Sequence, residues 1–370
     1  MDNNNKKEKY KWLYTNKKSI KYIQSSKFIS NNSFLIFTNK TIRKYNYSYN
    51  INLNNIESIN FENEFIEKDY IYDYDIIFNQ YESNNKICIC SKDNPIRILN
   101  DKLFLIKSFS IENKQKESYL SSIFIKYEPF GLNIYTGKNH LTKIDLIKQK
   151  KINTINNKNY NYISCFDFNI KYSCYFLGSY SNKLFLCDYK TDKIINIYKQ
   201  DKSVNQIKIL NTKEYKIIVG YRNSDYICLF DIRKMDKYIR KLNRNAMTTK
   251  KINFILDKDE NNLYSGTKNG VIIRYCNLGE NDIGLKILKE KNDSNYNNDI
   301  INKEEIDIGI NNCISSIDLN NDYNLMLVTN GERNFDDIFY SLKNNDSDYN
   351  SDIENEYKES QFHLYKIIND

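Results

Sequence analysis

Few residues of this chain are arranged to do covalent or acid–base chemistry. There are two histidines, His140 and His363, and eight cysteines, at 88, 90, 165, 174, 187, 228, 276 and 313. Neither histidine stands in a nucleophile–base pattern, so a serine or cysteine triad has little to draw on. No GxGxxG or GxxxxGK[ST] string occurs, which removes two common phosphate cradles. No CxxC is present, and a Cys88/Cys90 metal site lacks further ligands at suitable spacing. Most cysteines lie inside apolar runs, as reduced, buried thiols do. Carboxylates crowd into polar loops, where solvation is their ordinary role. Tyr72, Asp73 and Tyr74 form the one acid–base-like string; on an inner strand they line a channel and bond one another. The expectation is a non-enzyme with no metal, no cofactor and no small-molecule substrate.

Binding chemistry is better supplied. Lys40, Lys92, Lys138, Lys183, Arg222 and Lys268 each fall in a short polar turn that follows the second apolar run of a repeating unit. His140, Tyr180 and Tyr221 interleave planar rings with them. Cations hold phosphates and planar rings stack unpaired bases, so the set suits single-stranded RNA. With 55 Lys and Arg in 370 residues, a solvated basic surface is the bland alternative. The charge is unevenly spread: residues 281–370 carry net −11, which leaves +19 on residues 1–280 out of a total of +8. A basic body with an acidic late segment suits a polyanion partner.

The elements that position these turns repeat. Tyr162 to Tyr198 reads as four short apolar runs (YISCFDF, YFLGSY, KLFLCDYK and KIINIYK) separated by polar turns, the pattern of a four-stranded antiparallel sheet. Downstream the same unit is written as VNQIKIL, IIVGY, SDYICLFDIR and KYIRKL, then as INFIL, NLYSG, GVIIRYCN and LKIL. Upstream it is SSIFIKY, LNIYTG, LTKIDL and KKINTI. Ser91, Gly137, Gly178, Gly220 and Gly266 close the second runs at spacings of 46, 41, 42 and 46 residues. A period of about 40 to 45 residues with four strands is a β-propeller blade. The small residue at that place lets the chain turn beside the neighbouring blade.

The reading is an all-β, seven-bladed WD-repeat-type β-propeller filling residues 11–370 as a single domain, after a disordered 1–10. Blade one runs KYIQSSKFIS, FLIFTN and KTIRKYNY, with residues 48–66 as an Asn-rich connection. Blade two runs DYIYDYDIIF, KICICS, PIRILN and LFLIKSFSI. Polar and acidic insertions are expected at about 278–309 and 332–360. Blade seven takes NCISSIDL, NLMLVTNG and QFHLYKI, and the N-terminal segment from Lys11 to Ser19 supplies its last strand, which closes the ring and removes sheet edges. MDNNNKKEKYKW has no apolar core and is not expected to act as a secretory signal. No run approaches a membrane span, and mean hydropathy is −0.69.

Four strings resemble a known family. They are IYDY (Ile71–Tyr74), SKDNPIRIL (Ser91–Leu99), ISCFDF followed by LGSYSNKLFL (Ile163–Leu186), and CLFDIRK (Cys228–Lys234) leading into TTKKINFILDKDENNLYSGTKNGVI (Thr248–Ile272). Their order and spacing resemble the WD-repeat telomerase Cajal body protein family over roughly residues 20 to 330. Trp-Asp pairs are replaced here by Phe230-Asp231, Cys187-Asp188 and Ile144-Asp145, and Gly-His pairs are absent. The resemblance implies a non-enzymatic RNA-binding scaffold of H/ACA-type ribonucleoproteins. Its partners would be telomerase RNA or small Cajal-body RNA and the H/ACA core proteins, with a role in assembly, maturation and nuclear localisation. A nuclear location is expected, with the cytoplasm as a second place. A different class is also open: a protein-interaction scaffold such as a ubiquitin-ligase substrate receptor, in which Arg233 of the FDIR string reaches the partner.

Overall fold

Alternation of apolar and polar residues over five to eight positions gives strands here, and short Asn-, Asp- and Ser-rich breaks give the turns between them. The computed structural model describes residues 10–16, 22–78, 85–110, 122–128, 132–156, 159–169, 171–213, 215–248, 250–276, 278, 303–320, 322, 324–331 and 360–368. The expected disorder before Tyr10, residues 279–302 with their LKIL string, and acidic residues 332–359 lie outside the described set.

Seven four-stranded antiparallel sheets are arranged in a ring, each in plain meander order from the inner strand outward. The chain is thus a seven-bladed β-propeller, with no helix among the described residues. The inner strands are Ile23–Ser30, Ile71–Ile77, Phe124–Glu128, Ile163–Asn169, Val204–Ile209, Phe254–Leu256 and Ile314–Asn320. Blade seven continues with Leu325–Asn330 and Phe362–Ile367 and is completed by Tyr10–Thr15 from the other end of the chain. The expected closure by an N-terminal strand is therefore present. The seam buries Phe34 of blade one against Phe362 of blade seven, ring centroids 5.3 Å apart.

Two strands differ from expectation. Asn55–Ile66, read as part of a connection, is the long outer strand of blade one and pairs with Thr41–Asn50. Its Asn and Glu content hid the strand, yet Ile56, Ile59 and Phe65 still keep part of their surface covered. The outer strand of blade six is Lys303–Asp307, not LKIL. It has one buried apolar residue, Ile306, and is otherwise held by charge, with Arg274 on Glu304 at 3.2 Å. Such a strand shows no apolar run in the sequence.

Gly178, Gly220 and Gly266 serve close approach to the next blade, whereas Gly137 serves its own hairpin turn, where a Cβ would collide with the His140 backbone. A Cβ on Gly178 would stand 2.5 Å from Cys165 Sγ and 2.6 Å from Val204 Cγ1, the first residue of the next blade's inner strand. Phe254 and Ile314 crowd Gly220 and Gly266 in the same way. At those three positions the spacing therefore marks where one blade leans on the next.

Neighbouring inner strands are also clasped by side chains. Asp75, Asp167 and Asp318 accept the backbone N–H of Tyr127, Ile209 and Phe28, each on the following blade. The residues equivalent to these three, by the partner each faces on its second strand, are Lys27, Lys126, Lys208 and Ile255. Around the ring the order is Lys, Asp, Lys, Asp, Lys, Ile, Asp. Alternating charge lets each carboxylate serve its neighbour, as at Lys126–Asp75 (3.5 Å) and Lys27–Asp318 (2.7 Å).

Candidate nucleic-acid interface

Antiparallel hairpins put the turn after each second strand at the same end as the crossover into the next blade. Backbone bonds tie the two together: Glu67 N–H to Lys40 O, Lys92 N–H to Tyr70 O, Ile163 N–H to Lys138 O, Arg222 N–H to Ser203 O and Lys268 N–H to Asn245 O, all between 2.6 and 2.8 Å. In blade four, Gln200 N–H donates to Asn182 O beside Lys183. The six cation-bearing turns thus share one rim. Lys40, Lys92, Arg222 and Lys268 are exposed there, and Lys138 and Lys183 are half-buried. Lys40 Nζ also donates to Lys68 O at 3.2 Å.

Of the three rings expected among these cations, one is presented. Tyr180 is 39% exposed, and the Arg222 guanidinium lies 5.4 Å from its ring centre. Partial burial raises its phenol above the ordinary value, against the opposing charge of Lys251. Tyr221 is only 3% exposed, its ring in the blade core beside Cys228 and its hydroxyl donating to Gln200 Oε1 at 2.8 Å. His140 is 1% exposed, and burial pushes its pKa down to about 4, with Lys151 adding to the effect. Both sit on strands whose alternation turns them inward, so neither offers a face to a base.

The rim also has rings outside the expected set of three. Tyr162, 49% exposed, lies beneath Lys138 Nζ at 5.1 Å. Tyr22 lies beneath Lys250 Nζ at 4.9 Å. Tyr72 is exposed at the channel mouth. A signal was available: Tyr-Ile opens the inner strand in blades one, two and four, at Tyr22-Ile23, Tyr70-Ile71 and Tyr162-Ile163. Tyr22 and Tyr162 have left-handed backbones, φ 20° and 54°, where the crossover bends into the strand. Each ring–cation pair is a flat surface with fixed positive charge, the surface on which a base stacks and its phosphate is held.

Below the mouth, Asp73 faces Lys251 across the channel at 3.9 Å and accepts Ile125 N–H at 3.2 Å. Burial raises its carboxyl above the ordinary range, an effect the Lys251 charge opposes. Within IYDY the Tyr74 backbone N–H donates to the Asp73 carboxylate, so the string bonds within itself as expected, but its side chains also reach outside it. Asp73, and Asp75 just after the string, reach the next blade, and Tyr74 stacks on Phe37 of the preceding one, 3.3 Å between centroids.

The thiols are tied up in the blades. Cys88 Sγ donates to Asp75 O at 3.3 Å, and burial pushes Cys165 and Cys187 up to about 12. No group of three His, Cys, Asp or Glu residues is poised for a metal ion among the described residues.

Arg233 lies at the opposite rim, in the turn after the third strand of blade five. It is exposed, forked onto Asp231 (Nε–Oδ1 2.9 Å, Nη2–Oδ2 2.6 Å) and laid over Tyr215 at 4.3 Å. No protein-family model matches the chain, and no curated protein is significantly similar to it.

Proposed function

We propose that this propeller is a non-enzymatic RNA-binding scaffold of H/ACA-type ribonucleoproteins, aiding their assembly, maturation and nuclear localisation. Unpaired loop bases stack on Tyr180 and Tyr162, and Arg222, Lys138, Lys92 and Lys268 hold the flanking phosphates. The observation that carries this reading is the ring–cation pairing of Tyr180 with Arg222 and Tyr162 with Lys138 on the rim that gathers all six cations. The family resemblance narrows the RNA to the telomerase and small Cajal-body class, with the H/ACA core proteins as companions. A pull-down of the tagged chain with sequencing of bound RNA tests it. Enrichment of H/ACA RNAs supports the reading, and their absence removes it.

A second reading is a protein-interaction scaffold such as a ligase substrate receptor. It is favoured by the exposed Arg233 guanidinium held ready over Tyr215. Ligase subunits in the same pull-down, lost on Arg233→Ala, would select it.

A further inference from the structure

Lysines gather where the rim runs out over the edge between blades four and five. Lys183, in the rim turn, stands directly opposite Lys199 at the end of the outer strand of blade four, Ile194–Lys199. Like charges so placed repel across the sheet. In the crossover that follows, Lys202 Nζ donates to Asn223 O at 3.0 Å, next to Arg222. Lys202 and Lys241, the second on the outer strand of blade five, Arg240–Asn243, lie 5.4 and 4.0 Å from the ring centre of Tyr226. Lys199 and Lys241 are exposed, and Lys183 and Lys202 are half-buried. No ion pair reaches any of the four among the described residues. Asp201 is the acid set among them; its charge is felt by Tyr226, and it too is unpaired.

Four ammonium groups against one carboxylate repel one another, and a polyanion laid over them relieves that repulsion. Among the described residues these lysines present no open ring: Tyr198 and Tyr226 are half-buried against the core shared by blades four and five. The rim beside them, with Tyr180 and Arg222, offers both ring and cation. Cations without rings hold phosphates and take no unpaired base. A paired A-form stem is bound in that way, through its backbone. The lysines start beside the Tyr180 platform and end on the outermost strands, along the line of a stem that leaves that platform.

We propose that the blade four–five edge holds the paired stem of the RNA whose open loop lies on the rim, with Lys199, Lys202 and Lys241 on its phosphates and Lys183 at the junction of stem and loop. The proposal rests on the reading of the rim as an RNA loop site. The test measures fluorescence anisotropy with two RNAs that share one open loop, the second with a stem one helical turn longer. Tighter binding of the longer stem, by about tenfold, and a steeper salt dependence are expected. Changing Lys199, Lys202 and Lys241 together to Ala should remove that gain and flatten the longer stem's salt plot by about 0.9 for each duplex phosphate released. The same variant should bind the short-stem RNA as the parent does. No gain from the longer stem, a gain that survives in the triple variant, or an equal loss for both RNAs overturns the proposal. Closing the loop of the short-stem RNA checks the rim by itself. Equal affinity for the closed loop removes the rim reading, whereas a kept loop preference without a stem gain removes the stem site alone. If loss of the Lys202 bond to Asn223 unfolds the chain, Lys199→Ala with Lys241→Ala carries the same test.

Discussion

Lys27 of blade one and Asp318 of blade seven meet across the seam at 2.7 Å, and the second oxygen of Asp318 accepts Phe28 N–H, also at 2.7 Å. One buried carboxylate therefore joins the two blades that lie furthest apart in the chain. The same clasp recurs at Asp75 and Asp167, so closure uses the device that joins blades elsewhere in the ring.

Removing that carboxylate leaves a buried N–H and a lysine without partners. Asp318→Ala should cost about 2–4 kcal/mol in denaturant unfolding. Asp318→Asn keeps an acceptor for Phe28 and should cost less. Equal losses from both would show that the hydrogen bond to Phe28 is unimportant.

The two histidines should make stability depend on pH. His363 shares a 2.8 Å hydrogen bond with Thr15 across the closing strand pair, and burial pushes its pKa down to about 4; burial, with Lys151, does the same for His140. The unfolded chain takes up these protons near the ordinary value of about 6.5, before the folded chain does. Stability is thus full above that value and falls as pH drops toward about 4. Between pH 7 and pH 5 the expected loss is about 2 kcal/mol per histidine. Urea unfolding across that window should lose roughly half of its slope in His363→Phe. An unchanged slope would show that the folded chain accepts the proton freely.

Gly178→Ala places a methyl group 2.5 Å from Cys165 Sγ and 2.6 Å from Val204 Cγ1. Overpacking of this kind should cost about 1–3 kcal/mol, read as a lower melting temperature. Gly309→Ala is the counter-case for crowding: nothing lies within 4 Å, but φ is +70°, so its cost is backbone strain alone.

The blade repeat was legible because second strands are largely apolar runs, as Cys174–Ser179 and Leu325–Asn330 are, and inner strands alternate apolar with polar residues, as Val204–Ile209 does. The outer strands were harder, since Asn55–Ile66 is mostly polar and pairs polar residues across the strands, and Lys303–Asp307 offers only Ile306 to the core. The rim cations could be placed from turn position alone. The rings could not, because a ring's exposure depends on which way a residue beside a turn faces. Tyr221, the last residue of a second strand, points into the blade, whereas Tyr180, one residue past the equivalent strand end, points out.

If RNA lies along the rim, its cations carry the salt dependence and its rings carry the base contacts. Changing Lys92, Arg222 and Lys268 together to Ala should flatten the plot of log affinity against log salt by about 0.7 for each single-strand phosphate that is no longer held. Tyr180→Ala should cost about 1–3 kcal/mol with little change in that slope. Tyr221→Ala should lower stability instead, since its ring is buried.

The most direct measurement is the affinity of the chain for an H/ACA hairpin with an open terminal loop, set against the same hairpin with the loop closed by pairing. Fluorescence anisotropy across a salt series gives both constants. The account predicts tighter binding to the open loop, and loss of that preference when Tyr180 and Tyr162 are both changed to Ala. Equal affinity for the two hairpins, or an unaltered preference in the double variant, would contradict it.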